Sequence, residues 1–316
     1  MDISVVVTTC NEEQTIEELL DSLLVQIKRG SEIIIVDGGS TDKTTAIIEN
    51  YQRQNRLIRL LKEQGSIAHG RNTGIKNANY SIIALIDAGC AAKKDWLEKI
   101  TEPFKEKKVE LVAGFYEMTG NLPFQKAVAP FLGISPQRFK PNTFLPSARS
   151  MAFRKSLWEK IDGFSERLDH TGEDTLFNYK VIEKGIPIVR VKEAIVYWEM
   201  PRTLREALVK FYSYAKGDAQ AGIWWHPSQR FSTHNVRIAL VFARYCLGLA
   251  ILLFSFSFPQ LLYALFGGFA AYLVWSIWKM RDIVTDMEAR IWLPIIQVSS
   301  DLAIMIGFMR GLLTKL

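Results

Sequence analysis

The sequence predicts an α/β protein, a mostly parallel β-sheet with helices on both faces, followed by transmembrane helices at the C-terminal end. Two patterns carry this expectation. Apolar, β-branched runs alternate with helical periodicities through the first half, and a long stretch near the C-terminus carries no charge at all. The 316 residues are enough for one substantial core plus an appendage, and 48% hydrophobic content with 23% charge describes a folded chain.

The strand signals are "ISVVVTT" from Ile3, "EIIIVD" from Glu32, "LIRLL" from Leu57, "SIIALID" from Ser81 and "VELVAGF" from Val109. They are continuous apolar runs rather than alternating ones, as strands covered on both faces require. Between the first two lies "TIEELLDSLLVQI", in which Ile16, Leu19, Leu20, Leu23, Leu24 and Ile27 share one helical face. Strand and amphipathic helix in turn make βαβ units, and sheets built that way bind ligands at the carboxyl ends of their strands. Those ends are polar: the first run delivers Thr8, Thr9, Asn11 and Glu12, the second Asp37 and then "GGSTDKT", the fourth Asp87. Gly38 and Gly39 permit a tight turn, and Ser40, Thr41 or Asp42 can cap the helix that follows. Asp37 has no such structural reason, and its carboxylate suits the donors of a base or ribose. Neither a Gly-x-Gly-x-x-Gly nor a Gly-Lys-Ser/Thr loop follows the first strand, which counts against nicotinamide-dinucleotide and ATPase readings.

From Tyr245 to Trp278 there is no Asp, Glu, Lys or Arg. A bilayer takes about 20 residues, so this stretch, extended to Ile238 and Lys279 and divided at Pro259, reads as two spans joined by the turn "SFSFPQ". Arg237, Lys279, Arg281 and Arg290 place both hairpin ends on the cytosolic face by the positive-inside rule. A third stretch, Ile291 to Leu313, holds Gln297 and Asp301 on one face. It either spans with that face turned inward or lies along the surface; spanning is the stronger reading, with Asp301 expected to pair with Arg244. Small residues Gly267, Gly268, Ala270 and Ala271 would admit a second copy, so a homo-oligomer is compatible with the sequence.

Most of the net charge of +6 falls between Pro201 and Arg237, where Arg202, Arg205, Lys210, Lys216, Arg230 and Arg237 face Glu206 and Asp218. There "TLREALVKFYSYAKG" sets Leu204, Leu208, Phe211, Tyr212 and Ala215 on one stripe, ahead of Trp224 and Trp225. This reads as a basic interfacial helix in the headgroup region, or as an ordinary helix packed on the soluble part. The partner of this charge is a membrane, with no nucleic acid expected. Cys10, Cys90 and Cys246 suit neither a disulfide framework nor a zinc site. The opening "MDISVVVTTC" has no basic region ahead of an apolar one and reads as a buried strand. The expected organisation is a cytosolic catalytic domain at 1–200, an interfacial segment at 201–236, and a multi-pass cell-membrane domain at 237–316 with spans near 238–258, 260–279 and 291–313.

Taken together, "VVVTTCNEE", "IIIVDGGSTDKT", "HGRNTG", "IALIDAG", "SMAFRKSLWEKIDGFSE" and "GEDTLFNYKVIEKG" resemble family 2 glycosyltransferases of the GT-A fold, in that family's order, over roughly residues 3–220. The resemblance implies a nucleotide-diphospho-sugar donor, a UDP- or GDP-sugar, with Thr8, Glu12 and Asp37 near the nucleoside and Arg71 near its phosphate or ribose. It implies that Asp87 stands at the metal-diphosphate position, with Mg²⁺ or Mn²⁺ as cofactor. It also matches Glu173 and Asp174 to the acceptor-side pair in which the Asp is the general base. A helix N-terminus there favours the ionised carboxylate that a base needs.

The chain departs from the family at three points. Where a second carboxylate would complete a pair with Asp87 there is Gly89. Asp87 alone with the substrate diphosphate is chemically adequate for Mg²⁺; Lys93 or Lys94 could instead neutralise the leaving group, and an inactive relic is the third reading. Where a histidine is common downstream of the base the chain has "IVYWEMP", leaving Glu199 or His226 as a further ligand. No Gln-x-x-Arg-Trp motif is present, so one sugar per encounter is expected rather than a polymer. With membrane helices beside the catalytic half, a lipid-linked acceptor is favoured over a soluble one. The competing classes are a silent membrane scaffold that binds a nucleotide sugar, and a nucleotidyltransferase, whose Gly-rich basic loop "TTCNEEQTI" lacks.

Overall fold

The computed structural model describes residues 1–168, 171–223 and 233–314. In chain order its elements are β1 (Ile3–Thr9), α1 (Ile16–Leu24), β2 (Glu32–Asp37), α2 (Thr44–Gln54), β3 (Ile58–Lys62), α3 (Ile67–Lys76), β4 (Ile82–Asp87), β5 (Cys90–Ala92), α4 (Trp96–Thr101) and β6 (Leu111–Thr119). They continue as α5 (Pro123–Leu132), β7 (Met151–Arg154), α6 (Lys155–Lys160), α7 (Glu173–Glu183), β8 (Ile188–Glu199), α8 (Leu204–Gln220), α9 (Thr233–Ser255), α10 (Leu261–Trp278) and α11 (Met287–Leu313). Two compact units result. One is Met1–Met118 with Phe139–Glu199, the other Thr119–Arg138 with Met200–Leu316.

The first unit is a mixed sheet in the order β3-β2-β1-β4-β7-β6-β8-β5. The first four apolar runs form its parallel part, with β1 between β2 and β4. Beyond β4 the pairing turns antiparallel, because β7 inserts between β4 and β6. The run from Val109 therefore does not continue the parallel series; it becomes β6, and β8 carries β5 antiparallel at the far edge. Both faces of the parallel part are covered. Val6, Ile34, Val36, Ile83 and Leu85 pack with Ala68, Ile75, Leu157, Phe177 and Val181, while Val5 and Val7 on the opposite face are fully buried along with Ile16, Leu19, Leu20 and Leu23 of α1. The parallel register levels the polar strand ends: Thr9 stands opposite Asp37 and Thr8 opposite Asp87.

The second unit is helical and takes in Thr119–Arg138, which a boundary at residue 200 does not anticipate. Thr203 caps α8 by accepting from the Glu206 N–H at 3.2 Å. Of the stripe read from the sequence, Phe211 and Ala215 are buried; the buried face continues through Gly217 and Ala219 instead of Leu204 and Leu208. That face packs along α11, where Cβ atoms at Gly307 and Gly311 would strike the Tyr212 and Lys216 carbonyl oxygens. α8 is thus a packed helix whose partner is apolar; Trp224, Trp225 and His226 lie outside the described residues.

α9 and α10 form the expected hairpin, turning through residues 256–260. Three helices, Val236–Ser255, Leu261–Trp278 and Met287–Leu313, are long and apolar enough to cross a membrane. The expected Arg244–Asp301 pair is present at 2.9 Å. The direction of approach differs from that of parallel neighbours, since Ile238 clusters with Phe308 while Arg244 meets Asp301. α11 also holds α5, through Lys126 and Asp286 at 2.6 Å and Phe124 edge-on to Trp292.

Candidate active site

Three carboxylates singled out in the sequence gather around the buried guanidinium of a fourth such residue, Arg71. Arg71 lies in α3, just past the Ser66 cap, and is 3% exposed. It donates through Nη2 to Asp87 at the end of β4, 2.8 Å away, and through Nη1 to Glu173 in the first turn of α7. Asp174 follows on the same turn, within range of the Ala148 N–H at 3.5 Å. Gly172 turns the chain into α7 with φ of 94°, a conformation glycine tolerates without strain. Both arms of the guanidinium are committed to carboxylates, partners that the expectation of a nearby phosphate or ribose did not include.

The electrostatics follow from the count of charges. Burial opposes the Arg71 charge, yet Asp87, Glu173 and Asp174 together hold it firmly protonated. Burial pushes the Glu173 carboxyl above its ordinary range; Arg71 opposes that shift and neighbouring Asp174 adds to it. The three carboxyl groups share the one guanidinium of Arg71, and the rise at Glu173 eases the imbalance between them.

The motif "HGRNTG" also holds Trp158, Phe164 and Glu166. Asn72 accepts from the Trp158 indole and the Phe164 N–H, both at 3.0 Å, and donates to the Phe164 carbonyl and Glu166. Two motifs far apart in sequence are therefore one structural clamp.

On the β1–β2 side, Asp37 is buried and has the structural reason the sequence reading denied it. Oδ2 accepts from the Gly39 and Ser40 N–H groups at 3.1 and 3.0 Å, and Oδ1 accepts from the Ser40 hydroxyl. Asp42 accepts from the Thr44 N–H at the start of α2, the cap that "GGSTDKT" suggested. Among the described residues Thr8 Oγ1 is buried with no hydrogen-bond partner, as is Glu173 Oε2. Burial raises the Cys10 thiol pKa, and Asp37, Asp42 and Glu12 reinforce it, so this end is electronegative.

The space beside Asp87 is bordered by carboxylates from elsewhere. A Cβ on Gly89 would stand 3.9 Å from both Glu12 oxygens. The β5–β8 register pairs Cys90 with Trp198, so Glu199 is the next residue on the ladder, beside Gly89. Among the described residues no three His, Cys, Asp or Glu side chains form a metal cage. Sequence reasoning missed Arg149, whose guanidinium lies 3.9 Å over the Trp198 ring and which follows in the chain Ala148, the residue whose N–H approaches Asp174. Its one signal was a cation directly ahead of the short apolar strand "SMAF".

Residues 4–161 match Glycosyl transferase family 2. The chain belongs to this family. It is 32% identical to glycosyltransferase AglE of Haloferax volcanii over 238 residues, covering 70% of this chain and 74% of AglE. It is 27% identical over 218 residues to the uncharacterized glycosyltransferase EpsJ of Bacillus subtilis, covering 65% of this chain and spanning 63% of EpsJ. A Methanococcus voltae relative named as a dolichyl N-acetyl-glucosaminyl phosphate diacetamido-dideoxy-glucuronosyltransferase is 32% identical over 113 residues, 34% of this chain and 35% of its own. Among solved structures, the mannosyltransferase PcManGT of Pyrobaculum calidifontis, in complex with GDP-Man and Mn²⁺, superposes with a TM-score of 0.61. That match covers 97% of this chain and 86% of PcManGT at 19% identity, and identifies the GT-A fold.

Proposed function

We propose that this family 2 chain transfers one sugar from a nucleotide-diphospho-sugar to a lipid-linked acceptor, inverting the anomeric centre, with its sheet unit on the cytosolic face of the membrane. The observation that carries the reading is the Arg71 bridge, which ties Asp87 at a strand end to Glu173 and hence to Asp174 at the α7 N-terminus. Asp174 takes the proton of an acceptor hydroxyl, or orients an acceptor phosphate, as the new carbon–oxygen bond forms and the bond to the nucleoside diphosphate breaks. The α7 dipole favours the ionised carboxylate for that task. Arg71 is a positioning residue here, fixing the two carboxylates relative to each other. Thr8, its hydroxyl unpartnered among the described residues, and Glu12 and Asp37 line the donor side.

A divalent cation, Mg²⁺ or Mn²⁺, fits as an ion shared with the substrate: Asp87 would hold it, with Glu199 or Glu12 beside Gly89 as further donors. When bound it supplies positive charge to the departing diphosphate. The lipid-linked acceptor is supported by the long apolar helices and by the dolichyl-linked chemistry in the name of the Methanococcus voltae relative. The basic hairpin ends support the cytosolic orientation.

The test is nucleoside-diphosphate release by the full chain across UDP- and GDP-sugars with polyprenyl phosphate, with and without chelator. Asp174→Asn should cut turnover by about 10²–10⁴-fold and leave donor affinity unchanged. Undiminished release by Asp174→Asn would remove the base assignment, and donor binding with no release from any acceptor would favour the scaffold.

A further inference from the structure

The base of the α9–α10 hairpin holds an uncompensated cluster of positive charge that the transfer chemistry does not use. Lys279, just past α10, is partly buried; its ammonium donates to Gln297 Oε1 and lies 4.4 Å over the Trp275 ring and 5.1 Å over the Phe131 ring. Arg138, Arg237 and Arg244 all lie close enough to act on its charge. Arg138 is fixed there by donating to the Lys279 carbonyl at 3.4 Å.

One carboxylate, Asp301, faces these four cations, and it is already saturated. Its Oδ2 accepts from Arg244 at 2.9 Å, from Tyr245 at 3.3 Å and from Tyr272, and its Oδ1 accepts from Gln297 at 3.0 Å. Among the described residues Lys279, Arg138 and Arg237 have no carboxylate partner. Lys279 and Arg244 are partly buried and Arg138 and Arg237 exposed; gathering four cations against one anion beside an apolar surface is unfavourable unless an anion from outside completes the set. Around the cluster the surface is apolar and open, with Leu240, Leu247, Val274, Trp275 and Trp278 all exposed. A ligand with a charged head and an apolar tail satisfies both features at once.

We propose that the hairpin base is a binding site for the phosphate of a lipid, held by Lys279, Arg138, Arg237 and Arg244. Lys279 forms the inner contact, while Arg138 and Arg237, both exposed, close the site from outside. The lipid tail lies along the apolar flank of α9 and α10. The same chemistry is offered by an anionic phospholipid of the bilayer and by a polyprenyl phosphate. The inference rests on membrane insertion of the hairpin and not on the transfer reaction.

The experiment uses the full chain in detergent, with bound lipid counted by native mass spectrometry and the thermal midpoint followed in parallel. The probes are dioctanoyl phosphatidylglycerol, dioctanoyl phosphatidylcholine, farnesyl phosphate and inorganic phosphate. Lys279→Gln with Arg138→Gln should bind the two anionic lipids roughly thirtyfold more weakly. Arg281→Gln with Arg310→Gln, which removes as much charge from exposed positions outside the cluster, should bind them as the native chain does. Arg138→Gln with Arg237→Gln carries the same expectation and leaves the Lys279–Gln297 contact intact, should loss of Lys279 unfold the chain. Tighter binding of farnesyl phosphate identifies a phosphomonoester acceptor as the occupant, and equal binding identifies bilayer phospholipid; either upholds the site. Unchanged binding by the cluster variants, equal loss in the control, or stabilisation by inorganic phosphate as strong as by the lipids would overturn it. Failure of the native chain to float with phosphatidylcholine vesicles would overturn it as well, and would locate the error in membrane insertion rather than in the cluster.

Discussion

Arg71 shows how far a single residue's role can be read before its neighbours are known. The motif "HGRNTG" marks the residue, and its charge suggests a phosphate; the fold buries the guanidinium between Asp87 and Glu173. Removing one partner of a buried ion pair leaves the other charge uncompensated and costs about 3–5 kcal/mol. Arg71→Met should therefore lower the unfolding midpoint of the full chain by that measure, and Arg71→Lys should recover only part, since an ammonium cannot match a two-armed contact. A stability unchanged in Arg71→Met would mean the bridge holds nothing together. Asp37 carries the complementary lesson. A carboxylate at a strand end is visible in the sequence, but whether it faces a ligand or its own turn depends on the backbone at Gly39, where φ is +102°. Residue type and place in the chain were legible here; the direction in which each side chain spends its hydrogen bonds was not.

At the scale of elements, β1 to β4 were legible because each is a continuous apolar run with a helix to cover it, whereas the antiparallel half depends on long-range pairing of β7 that no local periodicity encodes. The ties between elements bring a pH dependence. Glu32 opens β2 and is buried, which by itself would raise its pKa; hydrogen bonds from the Asn79 N–H, Arg59 and Ser4 outweigh burial and lower it from 4.5. A carboxyl held lower in the folded state than in the unfolded state stabilises the fold above the unfolded pKa. That contribution is lost as pH falls through the folded value. Glu32→Gln should flatten the stability profile below pH 4.5, and a profile as steep as that of the native chain would show that other carboxylates carry the acid transition. Between α8 and α11 the decisive feature is small residues. The sequence directs attention to Gly267 and Gly268 of α10, yet a Cβ at either meets nothing within 4 Å. The close approach is at Gly307 and Gly311, whose Cβ atoms would collide with backbone carbonyls of α8. Gly311→Val should destabilise the folded chain by about 1–3 kcal/mol or more, while Gly267→Val should leave the midpoint in detergent unchanged.

At the scale of the whole chain, the number of membrane crossings depends on what α11 packs against, and hydropathy cannot report that. Ile291 to Leu313 is apolar enough to span, but one face of α11 is taken up by α5 and α8, helices that carry Lys126, Arg205, Glu206, Lys210 and Asp218. Its opposite face presents Met287, Ile291, Ile295, Leu302, Ile306, Met309 and Leu313, all exposed, in one apolar stripe along the whole helix. Its polar contacts with the hairpin reach from the base at Lys279 up to Tyr272 and to Arg244 and Tyr245 at the middle of α9, short of the tip. Residues nearer the tip, from Leu252 to Phe269, include Phe254, Phe256, Phe258, Tyr263 and Phe266, all exposed. A helix that meets a hairpin short of its tip and shows one apolar face along its length has the character of an in-plane helix, which sinks that face into the acyl boundary. It also keeps the Asp301–Arg244 pair in the half of the hairpin nearer its charged ends, where a carboxylate–guanidinium pair costs less than it would towards the tip-side core of the span. We therefore expect two crossings, by α9 and α10, with both chain termini on one side. Single-cysteine extensions at the N- and C-termini, labelled in sealed vesicles by a membrane-impermeant maleimide after the native cysteines are replaced, read this directly. Matching accessibility at the two ends gives an even number of crossings and an in-plane α11; opposite accessibility makes α11 the third span and obliges α8 to follow it into the membrane.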